Sequence, residues 1–204
     1  KLPPPVSARA LGFLPRPRIG LLGGSFNPAH EGHRHIAELA LKQLGLDEVW
    51  FLVSPGNPLK SNKGMASLRD RMASARAQAN RPGLRVTAIE QALSTRFTAD
   101  TLAALVHRFP RLHFVWLMGA DNLTQIPRWD RWKKLFRAMP IAVFARSSYS
   151  TKALAGKAAH RFSAARVRPR HGAARLAAKD PPAWVFLHTR LHPASASAIR
   201  AART

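Results

Sequence analysis

With 204 residues, 46% of them hydrophobic, the chain is long enough to bury one substantial core and reads as a single globular domain. It has no cysteine, which excludes disulfides, thiolate metal sites and thiol nucleophiles, and favours a reducing compartment such as the cytoplasm. Its 33 Lys and Arg against 10 Asp and Glu give a formal charge of +23, a field that attracts polyanions without choosing among them. No helix-turn-helix, basic zipper or aromatic strand motif accompanies that charge, so no specific nucleic acid is expected as a partner, and genome composition accounts for the bias as well.

The N-terminal "KLPPPVSARALGFLPRPR" is rich in proline and arginine, lacks the apolar core of a secretory signal, and begins with Lys, as a fragment or processed product would. Residues 1–17 are expected to be a disordered lead-in and 18–204 the domain. No run approaches the roughly 18 consecutive apolar residues of a membrane span. From there, short apolar runs alternate with longer amphipathic ones, the pattern of an α/β domain with a parallel sheet. The predicted strands are "RIGLL" (18–22), "EVWFLVS" (48–54), "LRVTAI" (84–89), "LHFVWLM" (112–118), "IAVFAR" (141–146) and "WVFLHTRL" (184–191). Several are apolar almost throughout, as strands covered on both faces are.

Ile36, Leu39, Ala40 and Leu44 recur at helical spacing with Gly45 as a stop signal. Further helices are predicted at about 66–80, 98–108 and 129–138, each between two strands, and a last short one after Pro193 begins near Ser195 or Ser197. Residues 147–182 fit no strand or helix pattern cleanly and are treated as a peripheral excursion. The expected architecture is a Rossmann-like, doubly wound parallel sheet in one domain.

The first strand leads into "GLLGGSFNPAHEGHRHIAELA" (20–40), paired glycines and a proline before a helix that carries three histidines. In an open parallel sheet, ligands bind beyond the carboxyl ends of the strands. A helix start there offers unpaired N–H groups and a positive dipole end to phosphate. Gly23 and Gly24 let backbone approach a ligand, and His30 and His33, three apart, share a helical face from which both can donate to one group of oxygens. The stretch lacks the Gly-Lys-Ser/Thr ending of a P-loop and the G-x-G-x-x-G spacing of a dinucleotide fingerprint. It is also one residue too tight for the zincin H-E-x-x-H. A zinc site on His30, His33 and His35 is the alternative, without an acidic or cysteine cluster to support it; His35 otherwise reads as a plain helix residue.

"GGSFNPAHEGH" resembles the signature of the nucleotidyltransferases with an H-x-G-H motif, and in particular of bacterial nicotinate-nucleotide adenylyltransferases. Four more segments resemble that family's in order and approximate spacing: "SPGNPLK", "STRFTADTL", "GADNLTQIPRWDRWKKL" and "PASASAIR", so that the likeness spans Arg18 to Arg200. The resemblance implies transfer of AMP from ATP to nicotinate mononucleotide, giving deamido-NAD and pyrophosphate. The acceptor's phosphate is already an anionic nucleophile, so such a reaction rests on positioning and charge stabilisation rather than on a general base. Mg2+ is expected with ATP, held mainly by phosphate oxygens, with no protein side chain as ligand.

By the same resemblance, His30, His33 and Arg200 carry the catalytic charge stabilisation. Gly24, Ser25, Phe26, Asp121, Ser195 and Ser197 join them in binding ATP, with Asp121 at the ribose. Lys60, Thr98 and Trp129 bind the mononucleotide, the indole by stacking on the nicotinate ring. Lys60 reads equally as a solvated loop lysine, Trp129 has a core alternative, Trp132 reads as core, and Asp100 as a carboxylate favoured by the helix dipole. Ala194 and Ala196 replace the Ile and second Ser of the family's C-terminal pattern, Ser197 stands where Thr is usual, and Leu59 where His is more frequent. Alternatives are a sibling transferase acting on nicotinamide mononucleotide, phosphopantetheine or a cytidylyl donor, or a basic nucleic-acid-binding protein on the same fold. Oligomeric state, including a homo-oligomer, is left open.

Overall fold

The apolar runs become seven strands: β1 (Arg18–Gly24), β2 (Glu48–Val53), β3 (Leu84–Thr87), β4 (His113–Gly119), β5 (Ile141–Phe144), β6 (Arg166–Val167) and β7 (Trp184–Leu187). The computed structural model describes residues 16–56, 64–95, 97–145 and 149–189. All strand pairings are parallel, in the order β3-β2-β1-β4-β5-β7-β6. Parallel neighbours require crossovers, which the helices supply. These are α1 (Glu31–Leu44), α2 (Leu68–Gln78), α3 (Ile89–Ala92), α4 (Thr98–Arg108), α5 (Ala120–Gln125), α6 (Trp132–Ala138), α7 (Tyr149–Leu154), α8 (Lys157–Arg161) and α9 (Pro169–Gly172), with 3-10 turns at Ile126–Arg128, Ser163–Ala165 and Ala173–Ala178. The single-domain Rossmann-like sheet expected from the sequence is the one observed.

Alternation along each strand divides the core into two layers. Ile19, Leu21, Trp50, Phe114, Trp116 and Trp184 face one side with α4 and α6, while Leu22, Phe51, Val115, Leu117 and Val185 face the other with α1 and α2. Gly45 ends α1 in the left-handed region, φ 59°, as its stop signal predicts. The chain winds outward through β2 and β3, then returns to place β4 on the other side of β1. The carboxyl ends of β1 and β4 therefore flank the switch point where such sheets open a crevice.

Several expectations need correction. The 147–182 segment is no peripheral excursion: β6 is the sheet's last strand, and Ala153, Ala158, Ala159 and Phe162 are buried in one core layer, Leu176 and Ala177 in the other. Phe162 stacks on Phe136 at 4.2 Å, and its carbonyl accepts a 2.7 Å hydrogen bond from the Trp184 indole. Alanines pack by closeness rather than by bulk, so their apolar stripe is faint against the arginines around it. β3 stops at Thr87 because Ile89 already opens α3. The helix expected from 129 begins at Trp132, since Trp129 is extended and Arg131 left-handed, φ 49°. Most of the 1–17 lead-in and the helix expected after Pro193 fall outside the described residues, although the Pro17 carbonyl already accepts from the His113 N–H at 2.9 Å.

Candidate active site

Where β1 ends, Gly24 passes its carbonyl to the N–H of Ser54 at the end of β2, 3.0 Å away, so the two strand ends leave the sheet together. Gly23 lies under the Trp116 indole, which a Cβ at that position would overlap. Phe26 takes φ 48° and buries its ring against Phe51 and the edge of His33, with centroids 5.5 and 4.9 Å away. This aromatic wedge turns the loop toward the start of α1. The loop's Asn27–Pro28 bond is cis.

At that start the two histidines cap one another's backbone. His30 is the N-cap residue, and its Nδ1 accepts from the Gly32 N–H at 3.1 Å; the Nδ1 of His33, on the first turn, accepts from the His30 N–H at 3.2 Å. This is a capping box built from imidazoles instead of a hydroxyl and a carboxylate. Its chemical consequence is a fixed tautomer. With each Nδ1 serving as acceptor, a neutral ring carries its proton on Nε2, which is then the ring's N–H donor. The rings lie 3.9 Å apart, and His30 is buried. His35, two residues beyond His33, lies about 200° further around the helix and cannot join them. Among the described residues no group of three or more His, Asp or Glu is placed to hold a metal ion.

Asp121 is half-buried in the first turn of α5, which follows β4 without a loop, across the switch point from the histidines. Thr98 opens α4 and Trp129 closes the 3-10 turn after α5; both are half-buried, and Trp129 packs against the core beneath it. Trp132 is buried against Phe136 and Phe162, the core residue it was expected to be. Asp100 does more than favour a helix dipole. It accepts two hydrogen bonds from Arg131, at 2.8 and 2.6 Å, and so ties the α4 turn bearing Thr98 to the loop bearing Trp129. Arg131 also donates to Asp130 at 2.6 Å and lies over the Phe97 ring, and these carboxylates hold its guanidinium above its ordinary pKa, Asp130 most strongly. Lys60, Ser195, Ser197 and Arg200 lie outside the described residues.

Sequence reasoning missed Arg71, on α2 and only 2% exposed. Its guanidinium donates to four carbonyls: Ser25 at 2.8 Å, Ser54 at 2.7 Å, Pro55 at 3.1 Å and Ala66 at 3.0 Å. A signal was present, because Arg71, Ala75 and Ala79 recur every four residues along the buried face of α2. Ser74, on the same helix, accepts from the Ala29 N–H at 3.1 Å, and Asn27 binds Gly64 and Ala66 through both ends of its amide, each at 3.1 Å. Glu90, hydrogen-bonded to Ser54, has its carboxyl pushed above the usual range by burial, an effect that the Ser54 bond opposes.

Comparison with known proteins agrees with this fold. The cytidylyltransferase-like family model matches residues 21–202. A protein of Methylorubrum extorquens named "Probable nicotinate-nucleotide adenylyltransferase" is 49% identical over 183 residues, covering 90% of this chain and 98% of its own. One of Parvibaculum lavamentivorans with the same name is 55% identical over 152 residues, covering 74% and 76%. Among solved structures, the Plasmodium falciparum nicotinic acid mononucleotide adenylyltransferase complexed with NaAD superimposes with a TM-score of 0.68 over 91% of this chain and 83% of that one. At 16% identity it bears on the fold alone.

Proposed function

The chain belongs to the cytidylyltransferase-like family, and from that premise we propose that it is a nicotinate-nucleotide adenylyltransferase. It transfers AMP from ATP to nicotinate mononucleotide, forming nicotinate adenine dinucleotide and pyrophosphate. The carrying observation is the pair of imidazoles at a helix start beside the switch point, whose Nδ1 atoms are committed to the helix cap, so that Nε2 is the donor of each neutral ring. The names of relatives about half identical to this chain support the same reaction.

In this reading a phosphate oxygen of the mononucleotide attacks the α-phosphorus of ATP, and the bond to the departing pyrophosphate breaks. His30 and His33 hold the triphosphate and stabilise the charge growing on the leaving group, acting as donors that need no rearrangement during the reaction. Backbone groups of Gly24, Ser25 and Phe26 line the nucleotide, Asp121 takes its ribose, and Thr98 with Trp129 receives the pyridine ring. Lys60, Ser195, Ser197 and Arg200 are assigned to the phosphates from the sequence pattern. Mg2+ is expected to arrive on the phosphates of ATP, whose hard oxygens would hold it. That ion supplies charge neutralisation of the triphosphate. Among the described residues no helix is long and apolar enough to cross a membrane; the assignment to the cytoplasm rests on the proposed use of ATP as substrate.

The test is pyrophosphate release from ATP and Mg2+ with nicotinate mononucleotide and nicotinamide mononucleotide compared side by side. Release favouring the acid is expected. Release with neither acceptor overturns the assignment.

A further inference from the structure

Arg71 has a cation's chemistry in a place where a cation is costly. It is almost wholly buried, and all four acceptors of its side chain are backbone carbonyls; no carboxylate among the described residues forms an ion pair with it. Burial lowers its pKa, yet a guanidinium stays charged well beyond neutrality. The carbonyls come from three stretches of chain. Ser25 belongs to the loop that presents the histidines, Ser54 and Pro55 to the exit from β2, and Ala66 to the approach to α2. Asn27 makes the same connection independently, from the histidine loop to Gly64 and Ala66. A planar fork with five donors can satisfy acceptors in several directions at once, which an ammonium on a flexible stem does only in part.

We propose that Arg71 is a positioning residue that couples the ATP loop to the chain leaving β2, so that ATP and the acceptor mononucleotide each strengthen the other's binding. This rests on the adenylyltransferase reading, in which the loop after β1 serves ATP and the loop after β2 serves the mononucleotide. A ligand seated on either stretch holds the position of carbonyls that share one guanidinium with the other, so the second ligand meets acceptors already held in register.

The experiment measures, by calorimetry, the dissociation constants of a non-hydrolysable ATP analogue with Mg2+ and of nicotinate mononucleotide, each alone and in the presence of the other. The full chain is compared with Arg71→Lys and with Asn27→Ala, whose folding is checked by circular dichroism and melting. In the unmodified protein each ligand is expected to tighten the other about tenfold. Arg71→Lys, which keeps the charge but not the fork, is expected to reduce that factor to about two while each ligand alone still binds within about threefold of normal, and Asn27→Ala to reduce it in part. A coupling factor of one in the unmodified protein, or an undiminished factor in folded Arg71→Lys, overturns the proposal. Pyrophosphate release is followed in parallel: its absence with every acceptor condemns the enzymatic reading, whereas normal release with unaltered coupling condemns only the role of Arg71.

Discussion

Two arginines organise the two ends of the candidate site, and they do so by opposite physics. Arg71, under the histidine loop, is buried and held by carbonyls; Arg131, beside Trp129, is partly exposed and held by the carboxylates of Asp100 and Asp130. A buried guanidinium without its acceptors, or carbonyls without their guanidinium, leaves polar groups stranded away from water, so this link is rigid and sensitive to any substitution. An exposed ion pair is screened and exchanges readily with solvent, so the second link can give while the fold survives. The histidine end is thus built as part of the core. The Trp129 end is fastened from outside.

The largest effect that sharpens this contrast is expected at Arg71. Replacing it with Met strands four carbonyls and should cost about 3 kcal/mol of stability, lowering the melting temperature by roughly 6–12 °C. A melting curve within a degree or two of normal would show that the carbonyls find water instead, and the contrast would collapse.

Next comes His33→Ala, which removes one Nε2 donor and one half of the capping box. Turnover, followed as pyrophosphate release, should fall about a hundredfold, as for loss of a charge-stabilising donor, while stability falls by only about 1 kcal/mol from the lost cap. Equal losses in both would mean that the histidine is a cap alone.

Arg131→Gln and Asp100→Asn should be milder. Each is expected to raise the KM for the mononucleotide about threefold and leave that for ATP unchanged, as loosening of the Trp129 loop requires. The comparison with Arg71 predicts a distinct salt response: the difference between variant and unmodified enzyme should shrink at 0.5 M salt, where screening already weakens the pair.

The smallest effect belongs to Glu90. Its carboxyl is held above the usual range by burial in the native state, so between the unfolded and native values the native protein binds more protons than the unfolded one, and stability falls as pH rises through that interval. Glu90→Gln lacks this penalty. Thermal melts should show the variant gaining on the unmodified protein between acid and neutral pH, and no pH dependence of the difference would place the carboxyl's titration elsewhere.

How much of this was legible depended on the kind of interaction. The helix Thr98–Arg108, the Gly45 stop and the His30/His33 pair all follow from local rules of spacing and dihedral preference. Trp132 was legible as core, and the four-residue stripe Arg71/Ala75/Ala79 could have exposed Arg71 had charge not argued for the surface. The 147–182 segment misled because small side chains carry little hydrophobic signal, although Ala153, Ala158 and Ala159 are buried in the core. Asp100 read as an isolated helix-start carboxylate, since its partner lies 31 positions away.

By itself the sequence determined the alternation of strands and helices, the parallel sheet, and the placing of two histidines at a helix start beyond the first strand. Those are consequences of period, length and backbone preference, each contained within a few neighbouring residues. Only the tertiary structure decided that imidazole Nδ1 atoms cap the helix and leave the donor proton of each neutral ring to Nε2, that one guanidinium joins Ser25, Ser54, Pro55 and Ala66, and that Asp100 reaches Arg131. Such contacts join groups distant along the chain. Their partners are chosen by where the sheet brings the loops together, because a buried donor must find whatever acceptor the fold sets beside it.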